Sequence, residues 1–311
     1  MKTPDSAARA RWLERRIFLE AQNTKHTPFG VRPRHRRQFR RLQRIAGVLL
    51  KLVGLYDRGQ RNALDIRLTS EVFEFPDLPA SFDGYRLLHV TDPHFDTLEG
   101  TAERVAALVG GCEADLLVLT GDYRRRVRGP FEHVLPQLAQ VVRAARTRDG
   151  AIALLGNHDS AAMVEPLEAL GLHVLLNETL TIARGDAQLH LTGFDDVHYF
   201  YTPAADAAAA AAPPGFRIAL VHSPEFVFHA ARAGYRLYVC GHTHGGQVCL
   251  PGGVAVLTAN ELGHRFVCGR WRHGDMHGFT SRGAGASGLP VRFFSRGEVT
   301  LITLRRATPP A

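Results

Sequence analysis

Short apolar runs alternate with segments of helical period along most of the chain, from about Val72 to the C-terminus. The run at 116–120 is typical of a buried strand, whereas the apolar positions of 131–146 recur at helical spacing. Strands are predicted at 86–91, 116–120, 151–155, 188–192, 218–221, 237–239 and 298–304, and helices at 101–110, 131–146, 161–170 and 226–231. This alternation predicts an α/β body.

The first part of the chain has a different pattern. Residues 1–37 are rich in charge and contain prolines, which predicts an irregular arm with a short helix at 12–19. In 38–56, Leu42, Ile45, Leu49 and Val53 recur at helical spacing among arginines, which predicts a basic amphipathic helix. Such a helix either lies in a membrane interface or docks on the body. We therefore expect an arm at 1–62 and an α/β domain at 63–311.

Charge separates the same two parts. The whole chain of 311 residues carries a formal charge of +8, but residues 1–62 hold 16 Lys and Arg against 4 Asp and Glu. The remainder is mildly acidic. An anionic partner for the arm is therefore expected, and a membrane surface is favoured. Nucleic acid is less favoured, because few aromatic residues lie among the basic ones. An arm that is merely solvated is the remaining alternative.

Localisation is predicted from three absences in the sequence. No apolar stretch approaches the ~20 residues that span a bilayer. Arg15-Arg16 and its neighbours resemble a twin-arginine export signal, but polar and basic residues follow instead of an apolar segment. The four cysteines form no C-x-x-C pair and predict no disulfide framework. We therefore expect a cytoplasmic protein, peripheral on the inner membrane surface.

Polar clusters follow five of the predicted strands. Because the carboxyl ends of strands in α/β sheets meet at one crevice, these clusters are expected to converge in space. Glycine precedes the polar residues in three of them, where the chain must turn sharply off a strand. The clusters are Asp92-Pro93-His94, Gly121-Asp122, Gly156-Asn157-His158-Asp159, His222 and Gly241-His242-Thr243-His244.

The donor types in these clusters are carboxylate, imidazole and one amide, with no thiolate. This set suits Mn, Fe or Zn, with Mg as a further candidate. The donors outnumber those that one tetrahedral ion needs, so we expect two divalent ions sharing a carboxylate. Ions about 3.5–4 Å apart can clamp a phosphoryl oxygen and make hydroxide available for in-line attack on phosphorus.

The order D-x-H, G-D, G-N-H-D, a lone His and G-H-x-H resembles the calcineurin-like metallophosphoesterase superfamily, over about 86–304. The resemblance implies a four-layer α-β-β-α sandwich, two mixed sheets flanked by helices. It also implies that His158 contacts the phosphate and protonates the leaving group, with Asp159 orienting His158 from behind. The implied ligands are Asp92, His94 and His244 for one metal, Asn157, His222 and His242 for the other, and Asp122 as the bridge.

The segment 281–285 is similar to one near the end of bacterial phosphodiesterases of the YkuE-like branch, where it lies near the metal site. This resemblance implies that Arg282 contacts the phosphate. The branch also resembles enzymes that hydrolyse UDP-2,3-diacylglucosamine. We therefore expect a phosphodiester or pyrophosphate substrate, linked to a membrane lipid. The alternatives are a nuclease or cyclic-nucleotide phosphodiesterase, and a non-catalytic scaffold.

Overall fold

The structure is a computed structural model that describes residues 6–34 and 36–307, with the backbone alone described for 36–40. The N-terminal elements are α1 (Ser6–Ala21), β1 (Thr24–Thr27), β2 (Gly30–Pro33), α2 (Arg36–Leu52) and α3 (Tyr56–Leu64). The next are β3 (Arg67–Phe75), β4 (Arg86–Val90), α4 (Thr101–Gly110), β5 (Glu113–Ala114), β6 (Leu116–Leu119), α5 (Leu135–Ala144), β7 (Arg146–Thr147), β8 (Ala151–Ala153), α6 (Val164–Ala169) and β9 (His173–Val174). The last are β10 (Glu178–Arg184), β11 (Ala187–Gly193), α7 (Pro203–Ala211), β12 (Phe216–Leu220), α8 (Val227–Arg232), β13 (Leu237–Cys240), β14 (Gly269–His273), β15 (Met276–Thr280) and β16 (Glu298–Arg306).

Two six-stranded mixed sheets form the body. The first has the order β3-β16-β4-β6-β8-β9, in which only the β16–β4 pair is antiparallel. The second has the order β10-β11-β12-β13-β15-β14, with antiparallel pairs at its two edges. Crossover helices join the parallel strands, so both sheets place several strand ends in the same direction.

Three buried clusters show the layering. One lies between the sheets and joins Phe75 and Val118 of the first to Phe216 and Val239 of the second. Another covers the outer face of the first sheet with α4, α5 and α6, and a third covers the outer face of the second sheet with α7 and α8. The four-layer α-β-β-α sandwich expected from the sequence is thus confirmed.

The prediction of an irregular arm at 1–37 is wrong where the structure describes it, although the short helix predicted at 12–19 lies within α1. Residues 1–5 and 35 lie outside the described part. Residues Ser6–Ala21 form a helix and β1 pairs with β2 as a hairpin. The buried side of α1 contains Arg16 beside Leu19. Because one buried position of this helix is an arginine, the hydrophobic pattern of the sequence did not show the full length of the helix. The division of the chain at residue 62 stays a prediction.

The basic amphipathic helix is α2, and most of the large apolar side chains described on it are exposed. Leu52 is 77% exposed, while Gly47 approaches Leu289 of the body. Among the described residues, no helix combines the length and the hydropathy that crossing a bilayer requires. The other exposed apolar residues of this segment are Leu42, Ile45, Val48, Leu49 and Val53.

Candidate metal centre

All five polar clusters lie just beyond the ends of β4, β6, β8, β12 and β13. These strands belong to the two facing sheets, and their carboxyl ends open on one shared edge. The seven candidate ligands come from these turns, and all seven are buried. The predicted convergence therefore follows from the strand order.

One group of donors comprises Asp92, His94 and His244, whose nearest ligand atoms lie within 4.8 Å of one another. The Nε2 atoms of His94 and His244 are 3.2 Å apart. Asp92 Oδ1 lies 3.6 Å from His244 Nε2 and, within the described part of the chain, has no hydrogen-bond partner although it is buried. An orphaned carboxylate oxygen facing two imidazole nitrogens fits a cation site.

A second group comprises Asp122, His222 and His242, also within 4.8 Å. His222 Nε2 is 3.1 Å from His242 Nδ1 and 3.1 Å from Asn157 Oδ1. Asp122 lies between the two groups, because its Oδ1 is 3.5 Å from His222 Nε2 and its Oδ2 is 3.5 Å from His94 Nε2. Its position is that of a carboxylate able to serve both groups.

Backbone carbonyls fix the orientation of three of these imidazoles. His94 Nδ1 lies 2.8 Å from the carbonyl oxygen of Arg124, and His222 Nδ1 lies 2.8 Å from that of Thr120. His242 Nε2 lies 3.0 Å from the carbonyl oxygen of Ala259. A carbonyl only accepts, so each of these nitrogens donates and leaves the other ring nitrogen unprotonated toward the site. Such outer hydrogen bonds are the usual support of metal-binding histidines.

Burial shifts the ionisation of the whole cluster. It lowers the pKa of His94 to about 4 and that of His242 to about 3, so both rings are neutral at physiological pH. It also raises the pKa of Asp92 to about 7. Burial and the neighbouring carboxylates of Asp92 and Asp159 raise the pKa of Asp122 well above its ordinary range. Neutral imidazoles beside crowded carboxylates form a site that a divalent cation would stabilise.

The backbone is strained at the candidate ligands. Five of the seven have positive φ: Asp92 at 52°, His94 at 40°, Asp122 at 60°, His242 at 70° and His244 at 52°. A left-handed conformation at a residue other than glycine costs on the order of 1–3 kcal/mol, and persists where surrounding structure enforces it. A run of such residues in one cluster points to function.

Two glycines allow the ligand-bearing turns to approach one another. A Cβ atom on Gly241 would lie 2.3 Å from Asp92 Oδ2, and a Cβ atom on Gly156 would lie 2.3 Å from Asp122 Oδ1. Neither space admits a methyl group. Both positions therefore require glycine, because the backbone packs closely against the candidate ligands.

His158 lies at the rim of the cluster, with a side chain that is 19% exposed. Its Nε2 is 3.9 Å from Asp122 Oδ2, and its Nδ1 hydrogen-bonds to the carbonyl oxygen of Arg125. One ring nitrogen of His158 also lies within 4.8 Å of ligand atoms of His94 and Asp122. Its position thus fits either a proton donor or an additional ligand.

The Asp159 carboxylate binds backbone amides of the turns around it. Its carboxylate accepts from the backbone N–H groups of Asp122 at 2.7 Å, Gly156 at 2.8 Å and Tyr123 at 3.0 Å. Asp159 therefore holds the turns that carry Asp122 and Asn157. The role expected for Asp159 behind the His158 ring stays a prediction.

Arg282 forms an ion pair with a carboxylate that is not one of the seven candidate ligands. Its Nη1 pairs with Glu298 at 3.3 Å, and its side chain lines a cavity of about 770 Å³. None of the seven candidate ligands lines that cavity. The phosphate contact predicted for Arg282 stays a prediction.

Sequence reasoning missed the buried arginine behind His244. Arg292 donates to the backbone carbonyl of His244 at 3.1 Å and to that of Gly285 at 2.9 Å. Its guanidinium is fully buried, and burial lowers its pKa to about 10. No motif surrounds Arg292, and its partners are mostly backbone carbonyls, so the sequence offered no signal.

Imidazole, carboxylate and amide donors gathered between two sheets define a metal-dependent phosphohydrolase. Comparison with known families identifies it more closely. The calcineurin-like phosphoesterase family matches residues 85–246, more than half of the chain. The chain therefore belongs to the calcineurin-like phosphoesterase family.

Characterised and uncharacterised bacterial relatives agree with this assignment. The chain is 28% identical to the uncharacterized metallophosphoesterase YkuE of Bacillus subtilis, over 77% of this chain and 86% of the relative. It is 26% identical to the uncharacterized metallophosphoesterase YkoQ of the same organism, over 81% and 95%. It is 30% identical to the phosphodiesterase YaeI of Escherichia coli, over 71% and 82%. The expected resemblance to the YkuE-like branch is confirmed.

Proposed function

We propose that the chain hydrolyses a phosphodiester or pyrophosphate bond with two divalent cations. The observation that carries the proposal is the position of Asp122 between two groups of donors. Asp92, His94 and His244 would hold one cation, and Asn157, His222 and His242 the other. The imidazole-rich donor set favours Mn, Fe or Zn over Mg.

The bound cations would supply an activated water nucleophile near neutral pH and neutralise charge on the phosphoryl oxygens. His158 would then act on the leaving group. Its Nδ1 donates to the Arg125 carbonyl, so in the imidazolium form Nε2 carries the second proton and faces the site. Asp159 would keep the amides of Asp122 and Gly156 in place, and so position the bridge and the turn with Asn157.

The test of this proposal is hydrolysis of bis(p-nitrophenyl) phosphate before and after chelation, with Mn, Zn, Fe or Mg added back. Phosphomonoesters, cyclic nucleotides, single-stranded DNA and UDP-linked lipids are compared at the same enzyme concentration. Hydrolysis that requires a divalent metal supports the proposal. A metal-loaded chain that cleaves none of these compounds would instead indicate a binding scaffold.

Substituting His158 by alanine separates proton transfer from metal binding. We expect metal content to stay unchanged and the rate to fall roughly 10²–10⁴-fold, the usual contribution of a proton-transfer group. The loss should be smaller for a nitrophenyl ester, because nitrophenolate leaves without help. Both quantities are measured by elemental analysis and steady-state kinetics.

The matched control is His133→Ala. His133 is exposed and lies outside both donor groups, and its Nε2 atom is 3.2 Å from Asp96 Oδ2. It should leave rate and metal content unchanged. Loss of metal in His158→Ala would make His158 a ligand and overturn its assignment as a proton donor.

We further propose that the enzyme is peripheral on a membrane and acts on a lipid-linked substrate such as UDP-2,3-diacylglucosamine. The exposed apolar residues of α2, among them Ile45 and Leu49, support this proposal. Arg44 and Lys51 of the same helix would meet anionic headgroups, at about 1 kcal/mol each. An apolar face flanked by basic residues is the usual design of an interfacial helix.

The cavity lined by Arg282 gives further support. Its lining includes five arginines and one acidic residue, Glu298. Phe294, which also lines it, is 63% exposed, and Leu55 at the start of α3 contributes an apolar wall. Positive charge beside exposed apolar side chains suits a phosphate that carries an acyl chain.

Reversing two charges on α2 tests the membrane proposal. The full chain should co-sediment with anionic vesicles at low salt and be released at high salt, because the attraction is screened. Arg41→Glu together with Arg44→Glu should weaken binding sharply while hydrolysis of a small soluble diester persists. Arg40, whose side chain lies outside the described residues, can be added to the same variant.

The control reverses the same amount of charge at Arg143 and Arg148, which are exposed on α5 and beyond it. That variant should bind vesicles almost as well as the unmodified chain. Equal binding to neutral and anionic vesicles would exclude electrostatic anchoring. Tight binding to DNA or RNA with no vesicle binding would favour the nuclease alternative.

A further inference from the structure

We propose that the N-terminal helix α1 is part of the catalytic unit, and that Arg16 positions the turn carrying Asn157 and His158. This inference rests on the proposed function of those two residues. It concerns a part of the chain that contributes none of the seven candidate ligands.

The Arg16 side chain is fully buried at the edge of the candidate metal centre. Its Nη2 donates to the carbonyl oxygen of Gly156 at 3.3 Å and to that of Asp159 at 3.1 Å. These two carbonyls bracket Asn157 and His158. Arg16 therefore holds both ends of the turn that supplies an expected metal ligand and the expected proton donor.

Glu20, one helical turn further along α1, extends the same contact. It accepts from Arg16 Nε at 3.0 Å, from Ser160 Oγ at 3.0 Å and from the backbone N–H of Ala161 at 2.8 Å. A carboxylate and a guanidinium from one helix face thus bind three backbone groups within 156–161: two carbonyls and one N–H. The turn is held by α1 through hydrogen bonds that involve charged groups, which are about twice as strong as neutral ones.

Arg16 also connects this turn to the loop after β11. Its Nη1 pairs with Asp195, which accepts from Trp12 Nε1 at 2.8 Å as well. Three residues later on that loop, the His198 ring lies 4.0 Å from the ring of His242. The guanidinium therefore links the surroundings of Asn157 to those of His242, the two sides of the second donor group.

The geometry requires the planar fork of arginine. One nitrogen binds Asp195, another binds two carbonyls and the third binds Glu20, while the Cζ atom lies 3.7 Å from the centre of the Phe200 ring. A lysine ammonium has charge but no fork, and so satisfies only part of this set. A methionine fills the volume and satisfies none of it.

The test compares Arg16→Met and Arg16→Lys with Arg9→Met. Arg9 is the matched control, because it also attaches α1 to the body, through Glu178 at 3.2 Å and the carbonyl of Val174 at 2.7 Å, but reaches no residue of the 156–161 turn. Both methionine variants should lower thermal stability. Only Arg16→Met should lower kcat for a soluble diester, by about 10- to 100-fold, the usual effect of an outer support of a metal site, with little change in KM.

Arg16→Lys should recover part of the lost kcat, and Glu20→Gln should give a smaller loss. If Arg16→Met fails to fold, these two variants carry the comparison with Arg9→Met. The proposal would be overturned if kcat fell in proportion to thermal stability in every variant, with Arg9→Met following the same proportion as Arg16→Met. Full activity in Arg16→Met would also overturn it.

Amide hydrogen exchange separates this proposal from the proposed function. Exchange at 156–161 should accelerate in Arg16→Met and stay slow in Arg9→Met, whether or not any phosphoester is hydrolysed. Faster exchange in a chain without hydrolase activity would reject the proposed function and keep the positioning role. Unchanged exchange in Arg16→Met would reject the positioning role alone.

Discussion

Asp122→Asn is expected to reduce hydrolysis to the uncatalysed background and to lower the metal content of the purified chain. The carboxylate lies 3.5 Å from His94 Nε2 on one side and 3.5 Å from His222 Nε2 on the other. It also accepts the backbone N–H of His158 at 2.8 Å. An amide in its place carries no charge and can present only one oxygen, so neither donor group keeps its shared anionic ligand.

Elemental analysis and steady-state kinetics on the same sample check this expectation. The matched control is Asp186→Asn, the same chemical change at an exposed residue of the β10–β11 turn, which should alter neither quantity. Asp92→Asn removes an anionic donor from the first group only and is expected to lower the metal content less. Near-normal activity of Asp122→Asn would contradict the two-cation proposal.

The sequence predicted the body of the molecule and the convergence of the site for a physical reason. Buried parallel strands such as β6 are continuous apolar runs, and the polar residues that follow them cannot stay in the core. Once the strands are assigned, the shared direction of their ends places the motifs at one edge. For this reason the sequence alone allows residues as distant as Asp92 and His244 to be assigned to one site.

What the sequence hid depends on partners that only the fold assembles. Arg16 and Arg292 are buried cations that bind backbone carbonyls of distant turns, and a carbonyl leaves no trace in the sequence. Asp159 accepts from the amides of Asp122 and Tyr123, far away along the chain, and nothing in the sequence indicates these contacts. Adjacency in the sequence is a poor guide to hydrogen bonding at a sharp turn.

Composition alone is a poor guide to the alanine-rich stretch 204–214. Such a composition is typical of a low-complexity segment, but α7 extends from Pro203 to Ala211 and covers most of the stretch. Ala205 and Ala209, one helical turn apart, are buried against the second sheet. Alanine has the highest helix propensity and can pack closely, so a run of alanines also fits a structural helix.

Removal of metal is expected to abolish hydrolysis, and the return of metal should release protons from the site. In the metal-free chain, burial raises the pKa of Asp92 to about 7 and raises that of Asp122 well above its ordinary value. His94 and His242, with pKa values lowered to about 4 and about 3 by burial, are already neutral. Below about pH 7 the protons to be displaced are therefore those of the carboxyl groups, because a carboxylate must be ionised to bind a cation.

The sign of the pH dependence follows. At about pH 6 Asp92 is mostly protonated, so binding of Mn or Zn should release about one proton or more; at about pH 8 Asp92 is ionised and its contribution should vanish. Apparent metal affinity should accordingly rise with pH across this window. Titration calorimetry in two buffers of different ionisation enthalpy counts the protons, and Asp92→Asn should release fewer of them at pH 6. The difference in proton release between the unmodified chain and Asp92→Asn isolates this group, because a metal-bound water also loses a proton as the pH rises. A difference that grows toward higher pH would contradict the assignment of the displaced proton to Asp92.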